Sequence, residues 1–251
     1  MSKIFDKLFF LGPMTLGDNF VYSGVAHYYG DRCEELHLPV FAAFYDTMKT
    51  LYQDHPHIKV VEMMPYDQGE NQYVKDHGLS RLIRHDMFRT EINGVPVSVM
   101  WDEQIYAQFE LPFGLRYSNF RLPKHIAGSQ ELYTRLSNNE PYILVHKFTG
   151  LHPDGIPIDI AGFRKANNLP DIKVIEVTAG ITTDMMQYVE LIKNATEIHC
   201  VPSSFFCLVD SIYDKTNAKL FYHDVRANTL MRINSKWNNN PWNIVNYATK
   251  L

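Results

Sequence analysis

Three short stretches of this 251-residue sequence carry side chains able to handle a hydroxyl nucleophile and an anionic leaving group. In TLGDNF (15–20), Gly17 permits a tight turn and Asp18 and Asn19 stand where a helix should open. Asp18 there is either a helix cap or a general base. In HKFTG (146–150), at the expected end of a strand, Lys147 offers a point charge and Thr149 a neutral donor, both suited to phosphate oxygens. The plain alternative is a solvated surface lysine. In CVPSSFFCLVDS (200–211), a strand runs into a helix opening with Ser203 and Ser204. Their hydroxyls and the first backbone amides would cradle an anion, or Ser203 would be an ordinary cap. Glu176 in VIEVTAG (174–180) stands at another expected strand end, placed either to grip a ribose diol or to be an exposed edge charge.

These stretches belong to a regular alternation. The apolar runs 4–12, 33–41 and 58–65 read as strands, with helix-spaced segments at 20–32, 41–55 and 71–86 between and after them. From Met87 to Pro141 the pattern becomes irregular, with an aromatic helical segment, two X-Pro breaks and an amphipathic helix at 128–136. The alternation then restarts, with strands expected at 141–148, 171–179, 197–202 and 219–225 and helices at 182–195 and 203–214. Thr182 or Thr183 would cap the first of those helices, with Asp184 in its first turn. The fold class is α/β: two small Rossmann-like lobes of parallel βα units facing across a cleft. The boundary is placed in SNNEP, giving lobes 1–138 and 139–251, with a short amphipathic C-terminal helix packing back on the first lobe. Ligands of such sheets bind outside the carboxyl ends of the strands, where all these candidates fall.

Hydrophobic residues make up 45% and charged residues 21% of the chain, too apolar for disorder. With 24 Lys and Arg against 28 Asp and Glu, the formal charge of −4 provides no global basic field for nucleic acid. The apolar runs are too short to span a bilayer, and MSKIFDKLFF does not read as a signal peptide. Cys33, Cys200 and Cys207 are odd in number and lack CxxC spacing, as expected of reduced thiols in a cytoplasmic protein. GxGxxG, GxxxxGK, GxSxG and HExxH are all missing from the sequence. His55 and His57 flank Pro56 and read as a surface loop rather than a metal site, and no Asp-x-Asp pair occurs to grip a metal on a diphosphate.

The LGDN loop after the first strand, the mid-chain restart and the late PSSFFCLVDS turn resemble the two-lobed GT-B glycosyltransferases, most nearly the heptosyltransferase-like group. That group opens its acceptor lobe with a GxGD-type loop and a donor-lobe helix with a DSGxxHLA-type turn. Here Leu16 replaces the first glycine, and SSFFCLVD has neither the Asp-Ser-Gly start nor the histidine. The resemblance implies transfer of a sugar from a nucleotide-diphosphate sugar to the hydroxyl of a glycan or similar acceptor, without a metal or other cofactor and with inversion. Asp18 would deprotonate the acceptor on a loop shaped by Gly17 and Asn19. Lys147 and Thr149 would meet the diphosphate, Ser203, Ser204 and the Phe205 amide the leaving group, and Glu176 the ribose. Two other readings compete: a non-catalytic relative that keeps the fold, and a sugar-nucleotide epimerase of similar shape using His146 and His223 as acid and base.

Overall fold

The structure, a computed structural model, describes residues 5–11, 15–63, 68–83, 91–92, 95–96, 101–149, 154–166, 171–225 and 241–246. They form two compact units that divide between His125 and Ile126.

The first unit runs β1 (Phe5–Leu11), α1 (Leu16–Gly30), β2 (Cys33–Val40), α2 (Tyr45–Leu51), β3 (Ile58–Glu62), α3 (Gln68–Asp76) and β4 (Ser80–Ile83). A two-residue pair, β5 (Glu91–Ile92) and β6 (Val95–Pro96), and two helices, α4 (Trp101–Gln108) and α5 (Leu115–Ser118), follow. The sheet order is β3-β2-β1-β4, with every neighbour parallel. Successive side chains of β1 point to opposite faces, so Phe9 packs with Val74 and Leu79 while Phe10 packs against Tyr22 and Phe109. Both phenylalanines are fully buried, the mark of a strand covered on two sides.

The second unit comprises α6 (Ser129–Ser137), β7 (Tyr142–His146), α7 (Ile160–Ala166), β8 (Lys173–Glu176), α8 (Val189–Asn194), β9 (Glu197–Cys200), α9 (Ser204–Ser211), β10 (Lys219–Asp224) and β11 (Trp242–Asn246). Its order is β11-β10-β9-β7-β8, again all parallel. Ile143 and Val145 of β7 face Ile160 of α7. On the other face the Tyr142 hydroxyl donates to the Leu191 carbonyl (2.7 Å), and Phe206 packs on Tyr222 and Trp242.

Several expectations are corrected. The division lies ahead of α6, not in SNNEP: the Glu190 amide donates to Ser129 Oγ (3.1 Å) and Leu132 is buried, which fixes α6 in the second unit. Asn138 and Asn139, with φ of 55° and 58°, end that helix in the left-handed region rather than forming a linker. The helix expected through residue 86 stops at Asp76, because Gly78 turns the chain at φ 62° and the Leu79 amide closes back on the Val74 carbonyl (2.9 Å), releasing β4. The cap in the 182–195 segment is Asp184, which accepts from the Met186 amide (2.9 Å) and opens a 3₁₀ turn ahead of α8. In the tail, Trp242–Asn246 is a strand beside β10 instead of part of a terminal helix; Trp242 is buried and its Nε1 donates to Asp210 (2.9 Å). Residues 247–251 lie outside the described residues.

Gly24 lets α1 meet α5. A Cβ there would lie 2.3 Å from the Leu115 carbonyl oxygen and 2.6 Å from the Tyr106 hydroxyl. Tyr106 donates to the Val21 carbonyl (2.7 Å) and Asn119 to that of Gly24 (2.9 Å), locking the approach. Gly24→Ala is therefore expected to lower the free energy of urea unfolding by about 2 kcal/mol through overpacking. Tyr106→Phe should not restore it, because the nearest obstacle is the Leu115 backbone. A neutral Gly24→Ala would show that this contact is slack.

Candidate functional site

Each sheet reverses its strand order once, and loops that leave a reversal point in opposite directions open a crevice. In the first sheet this happens at β1, with β2 on one side and β4 on the other. The chain leaving β1 enters α1 through Thr15, whose extended backbone (φ −116°, ψ 164°) is that of a cap. Thr15 Oγ1 accepts from the Asp18 amide (3.3 Å), and Asp18 Oδ2 accepts from the Thr15 amide (3.0 Å). This is a reciprocal capping box. Asp18 thus sits one turn into the helix rather than at its cap, and Gly17 is a buried helical residue instead of the hinge of a tight turn. Asp18 Oδ1 meets no partner among the described residues. Asn19 is buried; its Nδ2 donates to the Thr15 carbonyl (2.8 Å), while Oδ1 has no partner among the described residues.

The second sheet reverses at β7, which lies between β8 and β9. His146 ends β7 and Ser203 caps α9, and these two side chains meet: His146 Nδ1 lies 3.1 Å from Ser203 Oγ. Ser203 Oγ also accepts from the Phe206 amide (3.2 Å), so the ordinary-cap reading holds in the structure. The amides of Ser204 and Phe205, in the first turn, have no acceptor among the described residues, as expected of a helix start. The His146 ring stacks on Phe205 (centroids 5.1 Å, 21°), and burial holds its pKa down to about 4, so it is neutral near pH 7.

Lys147 follows directly. Its Nζ pairs with Glu176 Oε1 (2.8 Å), joining two residues assigned separate tasks from sequence. Both are part-exposed, so the pair contributes no more than about 1 kcal/mol and exchanges readily. Its backbone carbonyl accepts from Ile156 (2.8 Å), and Gly155 (φ 88°) brings that loop so close that a Cβ would lie 3.1 Å from the Lys147 side chain. Thr149 is buried close by in sequence, the last described residue before 154.

Sequence reasoning missed the histidines' real partners. Arg164 pairs with Glu197 (2.8 Å), Glu197 lies 3.5 Å from His199 Nε2, and His199 Nδ1 lies 2.9 Å from His223 Nε2, all four side chains being buried. The period-2 spacing of Glu197 with His199, and of Phe221 with His223, was the available signal. Register pairs His146 with Cys200 and Cys200 with Tyr222, which puts His146 and His223 on opposite faces of the sheet. They therefore cannot serve one sugar as the acid and base of an epimerase. His55 and His57 form a ring contact (5.9 Å) beside the buried His27, and no group of three or more His, Cys, Asp or Glu able to hold a metal occurs among the described residues. Nor is any described helix long and apolar enough to cross a membrane.

Two Rossmann-like parallel sheets, each with its candidate residues at the strand-order reversal, define a two-lobed α/β protein of the GT-B type. Solved structures agree. The glycosyl transferase family 9 protein from Veillonella parvula superposes with a TM-score of 0.59 at 8% identity, over 98% of this chain and 86% of that one. The iron-containing dodecameric glycosyltransferase TibC from enterotoxigenic E. coli gives 0.53 at 14% identity, over 94% and 62%. The E. coli ADP-heptose LPS heptosyltransferase II gives 0.50 at 9%, over 95% and 90%. No protein-family model and no curated protein sequence matches the chain. The likeness is one of fold, extending over nearly the whole chain.

Five buried histidines make stability depend on pH, His37 among them, which burial also holds below its ordinary value. Burial holds His27 and His223 down to about 3 and His146 and His199 to about 4. In the unfolded chain they titrate near ~6.5, so below that pH the unfolded state takes up protons first. The stability is fully present above that range and is lost as pH falls toward the folded values, by up to about 1.4 kcal/mol per pH unit for each histidine. Urea unfolding at pH 7.5 and pH 5 should show this fall, and His27→Phe should reduce its slope by one histidine's share. Equal stability at the two values would contradict the buried neutral state.

Proposed function

We propose that this protein is a glycosyltransferase that moves a sugar from a nucleotide-diphosphate sugar to an acceptor hydroxyl, with inversion and without a metal. The observation that carries the proposal is the placement of the candidate residues: in a fold shared with sugar transferases, they stand at the strand-order reversals of both sheets. The first lobe takes the acceptor and the second the donor.

On this reading Asp18 Oδ1 removes the acceptor proton while Oδ2 stays in the capping box, which holds the carboxylate in place. The deprotonated oxygen bonds to the anomeric carbon as the bond from that carbon to the diphosphate breaks. The new charge falls on the diphosphate, where the Ser203 and Ser204 hydroxyls, the Ser204 and Phe205 amides, Thr149 and Lys147 supply preorganised donors. Lys147 leaves Glu176 for the phosphate at little cost, which frees Glu176 for the ribose diol. These donors, neutral apart from Lys147, take the place of the metal that an Asp-x-Asp sequence would hold, and this sequence contains none.

The non-catalytic reading is favoured by one observation: Asp18 and Ser203 both have structural roles as capping residues. Release of nucleotide from a sugar donor in the presence of acceptor separates the two. A thermal-shift panel of UDP, GDP, ADP, TDP and CMP, with and without divalent metal, identifies the base through stabilisation by mass action. Asp18→Asn keeps an acceptor for the Thr15 amide and should fold normally. It is expected to cut transfer by about 100-fold or more, with nucleotide affinity within a fewfold. An active Asp18→Asn enzyme would remove the base assignment. Lys147→Ala should weaken nucleoside diphosphate binding by about tenfold, the worth of a charge-assisted hydrogen bond. Unchanged affinity would move the donor elsewhere.

A further inference from the structure

Ser203 Oγ has two protein partners and a single proton. It accepts the Phe206 amide hydrogen (3.2 Å) and lies 3.1 Å from His146 Nδ1. The Phe206 amide can only donate, so the hydroxyl proton points either at Nδ1 or away from both. If it points at Nδ1, the Ser203 hydroxyl is satisfied within the protein and has nothing left for an anion lying before α9. If Nδ1 carries a proton and donates it to Oγ, the serine O–H turns outward. The state of one buried ring nitrogen therefore decides whether Ser203 can act as a donor.

The ring is built to hold that position. Phe205 stacks on it (5.1 Å, 21°), Phe148 meets it edge-on (5.9 Å), and the His146 carbonyl accepts from the Val201 amide (3.2 Å). His146 thus ties the end of β7 to the turn from β9 into α9, the two segments that diverge at the strand-order reversal.

We propose that His146 is a positioning residue for the donor site, acting through Ser203: Nδ1 is bare in the free protein and protonated when a diphosphate occupies the α9 N-terminus. The inference rests on the donor assignment above. In the free protein Ser203 donates to Nδ1, and the imidazole proton is on Nε2. In the complex Nε2 gives its proton to solvent and Nδ1 takes one from solvent, leaving the ring neutral. Ser203 then accepts from Nδ1 and donates its own proton to a phosphate oxygen. No net proton is consumed.

Nitrogen-15 NMR of the imidazole reads the exchange directly. His146 Nδ1 is expected to shift from the unprotonated to the protonated range on saturation with the nucleoside diphosphate that the thermal-shift panel selects. An Nδ1 already protonated in the free protein, or one still bare in the complex, overturns the proposal. A double-mutant cycle tests the route through Ser203. His146→Phe should weaken diphosphate binding about tenfold in the native background and less than twofold in Ser203→Ala, while His146→Asn, whose amide can donate to Oγ, should stay within threefold of native. Equal losses from His146→Phe in both backgrounds would show that the ring acts by packing alone. Failure of the donor assignment looks different: Ser203→Ala would then leave diphosphate affinity unchanged, and the proposal would fall with it.

Discussion

Parallel strand pairing is the constraint from which the rest of the structure follows. Parallel neighbours cannot be joined by a tight turn, so each connection crosses the sheet, usually as a helix, and central strands are covered on both sides. β1 and β7 are the strands at which the order reverses, and Leu8, Phe9 and Phe10 of β1 and Tyr142, Ile143, Leu144 and Val145 of β7 are correspondingly apolar and buried. Polar groups along such a strand must be paired within the protein, as Glu197 is with Arg164, so those that are to meet a ligand sit where the strand ends. Asp18, His146, Lys147 and Ser203 all occupy those ends or the helix starts that follow them, because elsewhere along the strands a charge would be buried without water.

The same constraint explains how the interior handles its polar groups. One face of the second sheet carries Glu197, His199 and His223 in a row that would be costly if unpaired. Arg164 from α7 neutralises Glu197, and the two histidines bond to each other, so the row costs little although it lies in the core. The other face is held by aromatic packing and by single hydrogen bonds such as that from Trp242 to Asp210. His146, on this second face, is separated by the sheet itself from the His199 pair, and its hydrogen-bond partner among the described residues is Ser203.

Much of this was legible in the sequence, and the failures have physical causes. LFF and YILV are continuous apolar runs of the kind a doubly covered strand requires, and ELHLPV and EIHCV place apolar residues at every second position; they became β1, β7, β2 and β9. β4 and β11 are short edge strands, and nothing in SRLI or WNIVN separates them from a helix turn. Asn138 and Asn139 looked like a linker because asparagine is common in loops, yet it is also a side chain that tolerates the left-handed conformation ending a helix. The T-x-x-D pattern of Thr15 and Asp18 is a capping-box sequence that marks the helix start, and the glycine between them obscures it by suggesting a turn. The His146–Ser203 contact was not legible, since 57 residues separate its partners and only the sheet order brings them together.

Capping and chemistry coincide at both helix starts, and their demands are not the same. A cap must present an acceptor to the helix amides, whereas a site for a leaving phosphate must present donors, and a site for an acceptor hydroxyl must present a base. A carboxylate meets both demands in the first lobe by dividing its oxygens: Oδ2 of Asp18 is committed to the Thr15 amide and Oδ1 is not. A hydroxyl meets them in the second lobe only if a third group controls its proton, because the same oxygen must accept from Phe206 and donate outward. Serine alone leaves that direction undefined. The buried imidazole beside it supplies the definition, so the second helix start needs a histidine at the end of β7 where the first needs only the aspartate in its own turn.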